Sequence, residues 1–147
     1  HLPDIGQLAQ EHSAWVMVDD AHGLGVLGAD GAGTLQHFAL NTQQVPILMG
    51  TLGKALGTAG AFVAGSPELI ETLTQFARPY VYTTSSSPAL AYATQTSVKI
   101  ARTDHERRTH LRRLIGLFRH EAALAGLPLV ASPTPIQPLL VGDSGQA

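Results

Sequence analysis

The chain has 147 residues, 44% hydrophobic and 14% charged, with a formal net charge of -2 and no cysteine. The charge balance carries no nucleic-acid or anionic-membrane signature. Without cysteine there is no disulfide frame, no cysteine metal site and no cysteine nucleophile. No apolar run approaches the ~20 residues of a membrane span, and no basic-then-apolar leader pattern opens the chain, so a cytoplasmic protein is expected. The charged share lies well below the ~25% of ordinary soluble domains. That predicts a surface partly covered by further chain or by a partner. The opening His1-Leu2-Pro3 and the closing apolar run at 138–141 read as the interior of a longer protein.

In chain order, Leu2, Ile5, Leu8 and Ala9 fall on one helical face, which predicts a helix over 2–12. Trp15-Val16-Met17-Val18 is a continuous apolar run of the kind seen in buried parallel strands. It ends in Asp19-Asp20-Ala21-His22, a position that lines the ligand crevice in open α/β sheets. Residues 23–33 carry five glycines and read as a loop, with one short helix expected within 31–38. Residues 45–49 read as a strand. The glycine loop Gly50-Thr51-Leu52-Gly53-Lys54-Ala55-Leu56-Gly57 follows, and then a strand over 61–64. Ser66 as N-cap and Pro67 at the first helical position start the next helix. Residues 80–83 read as a short strand, and Thr84-Ser85-Ser86-Ser87-Pro88 as a hydroxyl-rich turn opening a helix over 89–101. Hydroxyls and free N–H groups at a helix start suit a phosphate. A long amphipathic helix is predicted at about 104–125, with Leu111, Leu114, Ile115, Phe118 and Leu124 inward and Glu106-Arg107-Arg108 on a solvated face. A last strand is expected at 136–141. A domain boundary is expected near residue 101, giving 1–101 and 102–147.

Two glycine motifs are set aside. Gly23-Leu24-Gly25-Val26-Leu27-Gly28 has the dinucleotide spacing and follows a strand. It leads into further loop, however, and no acid follows about 20 residues on. Gly53-Lys54 lacks the Ser or Thr and the earlier glycine of a phosphate-binding P-loop. What stays coherent is Asp19, His22 and Lys54, each after a strand-like run. Lys54 has no charged neighbour within ten residues on either side. A lysine, a carboxylate and a ring donor are what pyridoxal phosphate chemistry needs. The amine bonds the aldehyde, the carboxylate keeps a proton on the pyridine nitrogen, and hydroxyls such as Thr51 or those of 83–85 bind the phosphate.

At these residues the chain resembles a known family. Val18-Asp19-Asp20-Ala21-His22-Gly23-Leu24-Gly25 with the glycines after it, and Thr51-Leu52-Gly53-Lys54-Ala55-Leu56-Gly57, are similar to the signatures of the α-oxoamine synthases. These pyridoxal-phosphate enzymes condense an amino acid with an acyl thioester and release carbon dioxide. The resemblance covers essentially the whole chain. It implies fold type I, the aspartate-aminotransferase-like α/β fold: a mostly parallel sheet with helices on both faces, then a smaller C-terminal α/β domain. The strand after Lys54 is expected to be antiparallel. The resemblance further implies Lys54 as the Schiff-base lysine, Asp19 as the pyridinium partner, His22 at the ring oxygen and Thr51 near the phosphate. It places Thr83 and Thr84 at the phosphate of the partner subunit in a homodimer. Ala21-His22-Gly23, Phe76-Ala77-Arg78 with Tyr82-Thr83-Thr84-Ser85, and 136–143 point to the branch that joins L-alanine to a pimeloyl thioester, on CoA or acyl carrier protein. A glycine-using sister synthase, and a non-catalytic piece that keeps only the fold, stand as alternatives. The 147 residues alone are expected to be inactive.

Overall fold

The structure, a computed structural model, describes residues 1–145 and divides into two compact units, the second beginning at Asp104. The first unit holds a three-stranded mixed sheet in the order β1 (Met17–Asp19), β2 (Ile47–Thr51), β3 (Ala61–Ala64). β1 and β2 are parallel with Asp19 beside Met49, and β2 and β3 are antiparallel with Thr51 beside Ala61. The antiparallel strand after Lys54 is therefore as expected. β2 starts two residues later than the apolar run and carries on through Gly50 and Thr51.

Along β1 the environment alternates. Val16 and Asp20 are buried and Val18 is half-buried, while Trp15, Met17 and Asp19 are exposed. That is the two-residue period of a pleated strand. Val45 is buried just before β2, and Val16, Ala21 and Val45 make up the buried apolar centre of this unit.

The helices follow local chemistry. α1 (Leu2–Glu11) begins with Pro3 in its first turn, where a missing N–H costs nothing. α2 is short, Thr34–His37. α3 (Pro67–Phe76) starts as read: Ser66 Oγ accepts from the Leu69 N–H at 3.3 Å. Glu68 in that first turn has its carboxyl held below the usual range by backbone N–H and Ser66 hydrogen bonds.

α1 and α2 share one way of ending. Ala14 N–H reaches the Ala9 carbonyl and Leu40 N–H the Leu35 carbonyl, with Ser13 and Ala39 in left-handed backbone at φ 50° and 53°. These are Schellman closures, where glycine is the residue best suited to the left-handed position.

Residues 80–83 are not a strand. Arg78–Val81 forms a helical turn, α4, in which the Ala77 carbonyl accepts from both Tyr80 and Val81. Pro79 fixes the helical φ, and this outweighs the strand preference of Tyr and Val. α5 runs Pro88–Thr103.

In the second unit α6 (His105–Leu124) is capped by Asp104, which accepts from Arg107 N–H at 3.3 Å and from Arg107 Nε at 2.6 Å. The Arg107 side chain, then its N–H, holds the Asp104 carboxyl below its ordinary range. α6 also ends in a Schellman closure, with Gly126 at φ 70° and Leu127 N–H on the Ala122 carbonyl. Its inner face differs from the expected one. Arg108 and Ala122 are buried, and Leu111, Ile115 and Arg119 are half-buried. Leu114, Phe118 and Leu124 are exposed. Arg108 therefore leaves the solvated face and lies 2.8 Å from His105 Nδ1. The expected strand at 136–141 reduces to a single antiparallel bridge between Leu129 and Leu139. Pro138 has no N–H to extend a ladder. Arg119 ties this segment down, donating to Val130 O at 3.2 Å and Gln137 Oε1 at 2.9 Å.

Candidate active site

Parallel pairing puts the carboxyl ends of β1 and β2 at one edge of the sheet, so the loops after them open side by side. The first loop carries His22 and the second carries Lys54. Lys54 Nζ lies 2.9 Å from His22 Nε2, and both side chains are exposed. Either nitrogen can be the donor of this contact, depending on the imidazole tautomer.

Asp19 closes β1. Its Oδ1 accepts from the Ala21 N–H at 3.0 Å, and its other oxygen meets no donor among the described residues. An exposed carboxylate, an amine and an imidazole thus stand at neighbouring strand ends with capacity to spare.

Asp20 is built differently. It is 2% exposed, and its Oδ2 accepts from Thr34 N–H at 2.8 Å while Oδ1 accepts from Thr34 Oγ1. Its own N–H donates to the Met49 carbonyl of β2 at 2.8 Å, and its carbonyl accepts from Gly23 and Leu24. A buried carboxylate is tolerable only when so satisfied. Asp20 fastens the glycine loop to the start of α2 and to β2. Gly33 sits at φ 93° directly against Asp20 Oδ2, a place that has no room for a Cβ. Sequence reading singled out Asp19 and missed this role of Asp20. The signal for it was strand parity: Val16, Val18 and Asp20 share the inward face.

The glycine loop also fits the lysine loop. A Cβ on Gly25 would come 2.8 Å from Ala55 Cβ, next to Lys54. No helix follows Gly28; α2 starts only at Thr34, so the dinucleotide spacing has no structural counterpart.

Thr51 works within its own loop. Its hydroxyl donates to Gly60 O at 3.1 Å and accepts from Gly53 N–H at 3.3 Å. Thr83 and Thr84 lie in an exposed loop after α4, and Thr83 Oγ1 donates to the Pro79 carbonyl rather than toward Lys54. Two further hydroxyls unnoticed in the sequence reach the lysine loop from α5: Ser97 on the Leu56 carbonyl and Thr94 on Thr58.

A family model described as aminotransferase class I and II matches residues 1–147. The chain belongs to this family. Among curated members, the 8-amino-7-oxononanoate synthases of Pseudomonas syringae pv. tomato and Stutzerimonas stutzeri are 60% and 62% identical to it over 146 residues. These alignments take in 99% of this chain and 37% of each relative, so the chain spans little more than a third of their length. Among solved structures, a serine palmitoyltransferase from S. paucimobilis with a bound PLP–myriocin adduct superposes with a TM-score of 0.89 at 27% identity. It is matched over 98% of this chain and 38% of its own. The 8-amino-7-oxononanoate synthase of Francisella tularensis gives 0.84 at 31% identity, over 98% of this chain and 43% of its own. The expected aspartate-aminotransferase-like α/β fold and the resemblance to the α-oxoamine synthases agree with these matches. In this chain Asp19 closes β1, and His22 and Lys54 lie in the loops after β1 and β2.

Proposed function

We propose that the full-length protein is a pyridoxal-phosphate enzyme that condenses L-alanine with a pimeloyl thioester, on CoA or acyl carrier protein. Carbon dioxide leaves and 8-amino-7-oxononanoate forms, a step of biotin biosynthesis. The observation that carries this reading is the 2.9 Å contact of Lys54 Nζ with His22 Nε2, in the loops that follow β1 and β2, with Asp19 closing β1. The identity of about 60% to 8-amino-7-oxononanoate synthases supports the substrate choice.

The donor set fits the cofactor. An amine suits its aldehyde, a carboxylate its pyridine nitrogen and an imidazole its ring oxygen. When bound, pyridoxal phosphate supplies an electron sink for the charge left at the substrate α-carbon. Lys54 would hold it covalently and would move the proton at that carbon. Asp19 keeps the pyridine nitrogen protonated. His22 orients the amine through Nε2 and contacts the ring oxygen. Thr51 shapes the loop under the phosphate, and Thr83 and Thr84 serve the phosphate of the partner subunit in a cytoplasmic homodimer. Residues 1–101 belong to the large cofactor domain and 102–147 begin the smaller one, so these 147 residues hold only part of a site.

The test is product identification by mass spectrometry. Full-length protein with pyridoxal phosphate and pimeloyl-CoA gives 8-amino-7-oxononanoate from L-alanine and no comparable product from glycine. Lys54→Ala lowers the rate by roughly 10³-fold or more, as expected for loss of a covalent catalyst. Turnover with glycine alone moves the protein to a sister synthase. Full turnover in Lys54→Ala removes the lysine from the mechanism.

A further inference from the structure

The lysine loop, residues 52–60, contains Gly53, Gly57 and Gly60 and is largely exposed. Its internal bonds are few: Gly57 N–H to Lys54 O at 2.9 Å, Thr58 N–H and Oγ1 to Leu52 O at 2.9 and 3.1 Å, and Leu52 N–H to Gly60 O at 2.9 Å. A segment this rich in glycine loses much conformational freedom when ordered. Something outside it must fix where Lys54 points.

Thr51 holds the loop's two ends, at Gly53 N–H and Gly60 O, and two further fixings, at its middle, come from α5. Ser97 Oγ donates to the Leu56 carbonyl at 2.5 Å, and Thr94 Oγ1 lies 2.9 Å from Thr58 Oγ1. The two residues are three apart on one helical face, both half-buried. Hydroxyls within a helix ordinarily bond back to its own carbonyls, as Thr96 does to Tyr92 O and Thr103 to Lys99 O. Ser97 departs from that habit by bonding a residue 41 positions away. Thr94 shares its proton between Thr58 and its own helix at Leu90 O, also at 2.9 Å. Leu56 and Thr58 flank Gly57, whose N–H closes the turn on Lys54. From the other side Ala55 rests against Gly25.

We propose that Ser97 and Thr94 are positioning residues. They clamp the lysine loop to α5 so that Lys54 Nζ returns to the same place at His22 after each displacement. The inference rests on the reactive role given to Lys54 above. Misplacing a reacting group by about 1 Å costs up to ~10²-fold in rate, so losing one of the two α5 fixings is expected to cost about tenfold.

The experiment uses the full-length protein and two readouts. The first is amide hydrogen exchange at Gly57 and Thr58 without cofactor. The second is the rate of pyridoxal phosphate attachment to Lys54 at saturating cofactor. Ser97→Ala speeds exchange about tenfold and slows attachment about tenfold. Ser97→Thr, which keeps the hydroxyl, restores both. Thr96→Ala, which removes a hydroxyl from the same helix that bonds only its own turn, changes neither. If Ser97→Ala does not fold, Thr94→Val carries the same expectation on both readouts. Wild-type exchange and attachment in Ser97→Ala overturn the clamp, as does an equal effect of Thr96→Ala. A wild-type protein that takes up no cofactor, with the exchange pattern as expected, removes the cofactor reading and leaves the clamp standing.

Discussion

At position 20 a buried carboxylate accepts from the Thr34 N–H and hydroxyl while its backbone bonds both β2 and the glycine loop. Asp20→Ala removes both acceptors and leaves the Thr34 N–H without one. Leaving such a buried group unsatisfied costs ~1–3 kcal/mol. One residue earlier, Asp19 is exposed with one oxygen free of donors among the described residues. Asp19→Asn is expected to change stability by less than ~0.5 kcal/mol, yet to abolish most cofactor-dependent turnover. Denaturant unfolding and turnover, measured on both full-length variants, check this crossed pattern. A variant pair that loses stability and turnover in parallel speaks against it. The placing of Asp19, His22 and Lys54 at or just after strand ends was legible in the sequence, because each follows a strand-like apolar run. Asp20 was not, because two adjacent acids look alike until the parity of the strand assigns one to each face. Ser97 was not legible either, since a serine in a helix gives no hint of a partner 41 residues away.

At the scale of elements, chain ends and caps carry most of the legible information. Ser66-Pro67 announced α3, and the structure has the Ser66 cap in place. The segment 80–83 was misread because side-chain preference and the backbone constraint of Pro79 pull in opposite directions, and the constraint wins. In α6 the apolar spacing named the inner face only in part: Leu111 and Ile115 lie inward with Arg108 and Ala122, while Leu114, Phe118 and Leu124 lie outward. Hydrophobic spacing reports an apolar face but not what covers it. The closure of α2 offers a direct test. Ala39 occupies the left-handed position of a Schellman motif at φ 53°, where a Cβ is penalised. Ala39→Gly is expected to stabilise the protein by about 0.5–1 kcal/mol despite glycine's entropy cost, read as a higher denaturation midpoint. A lower midpoint contradicts the closure.

For the whole molecule, the buried apolar residues are few, while Trp15, Phe76, Tyr82 and Leu124 are more than 70% exposed. An open apolar groove of about 440 Å³ runs along β3 and α3, lined by Met49, Phe62, Val63, Ile70, Leu73 and Tyr80. The low charge content anticipated such surface, and the relatives, more than twice as long as this chain, show how much further polypeptide the family carries. The proposed chemistry nevertheless turns on one atom, Lys54 Nζ. The chain has two lysines, Lys54 in the glycine loop and Lys99 exposed on α5, so it supplies its own control. Full-length protein is incubated with pyridoxal phosphate, reduced with borohydride, digested and mapped by peptide mass spectrometry. The cofactor mass is expected on the peptide carrying Lys54 and not on the peptide carrying Lys99. Label on Lys99 at equal occupancy, or no label on Lys54, contradicts the proposed chemistry.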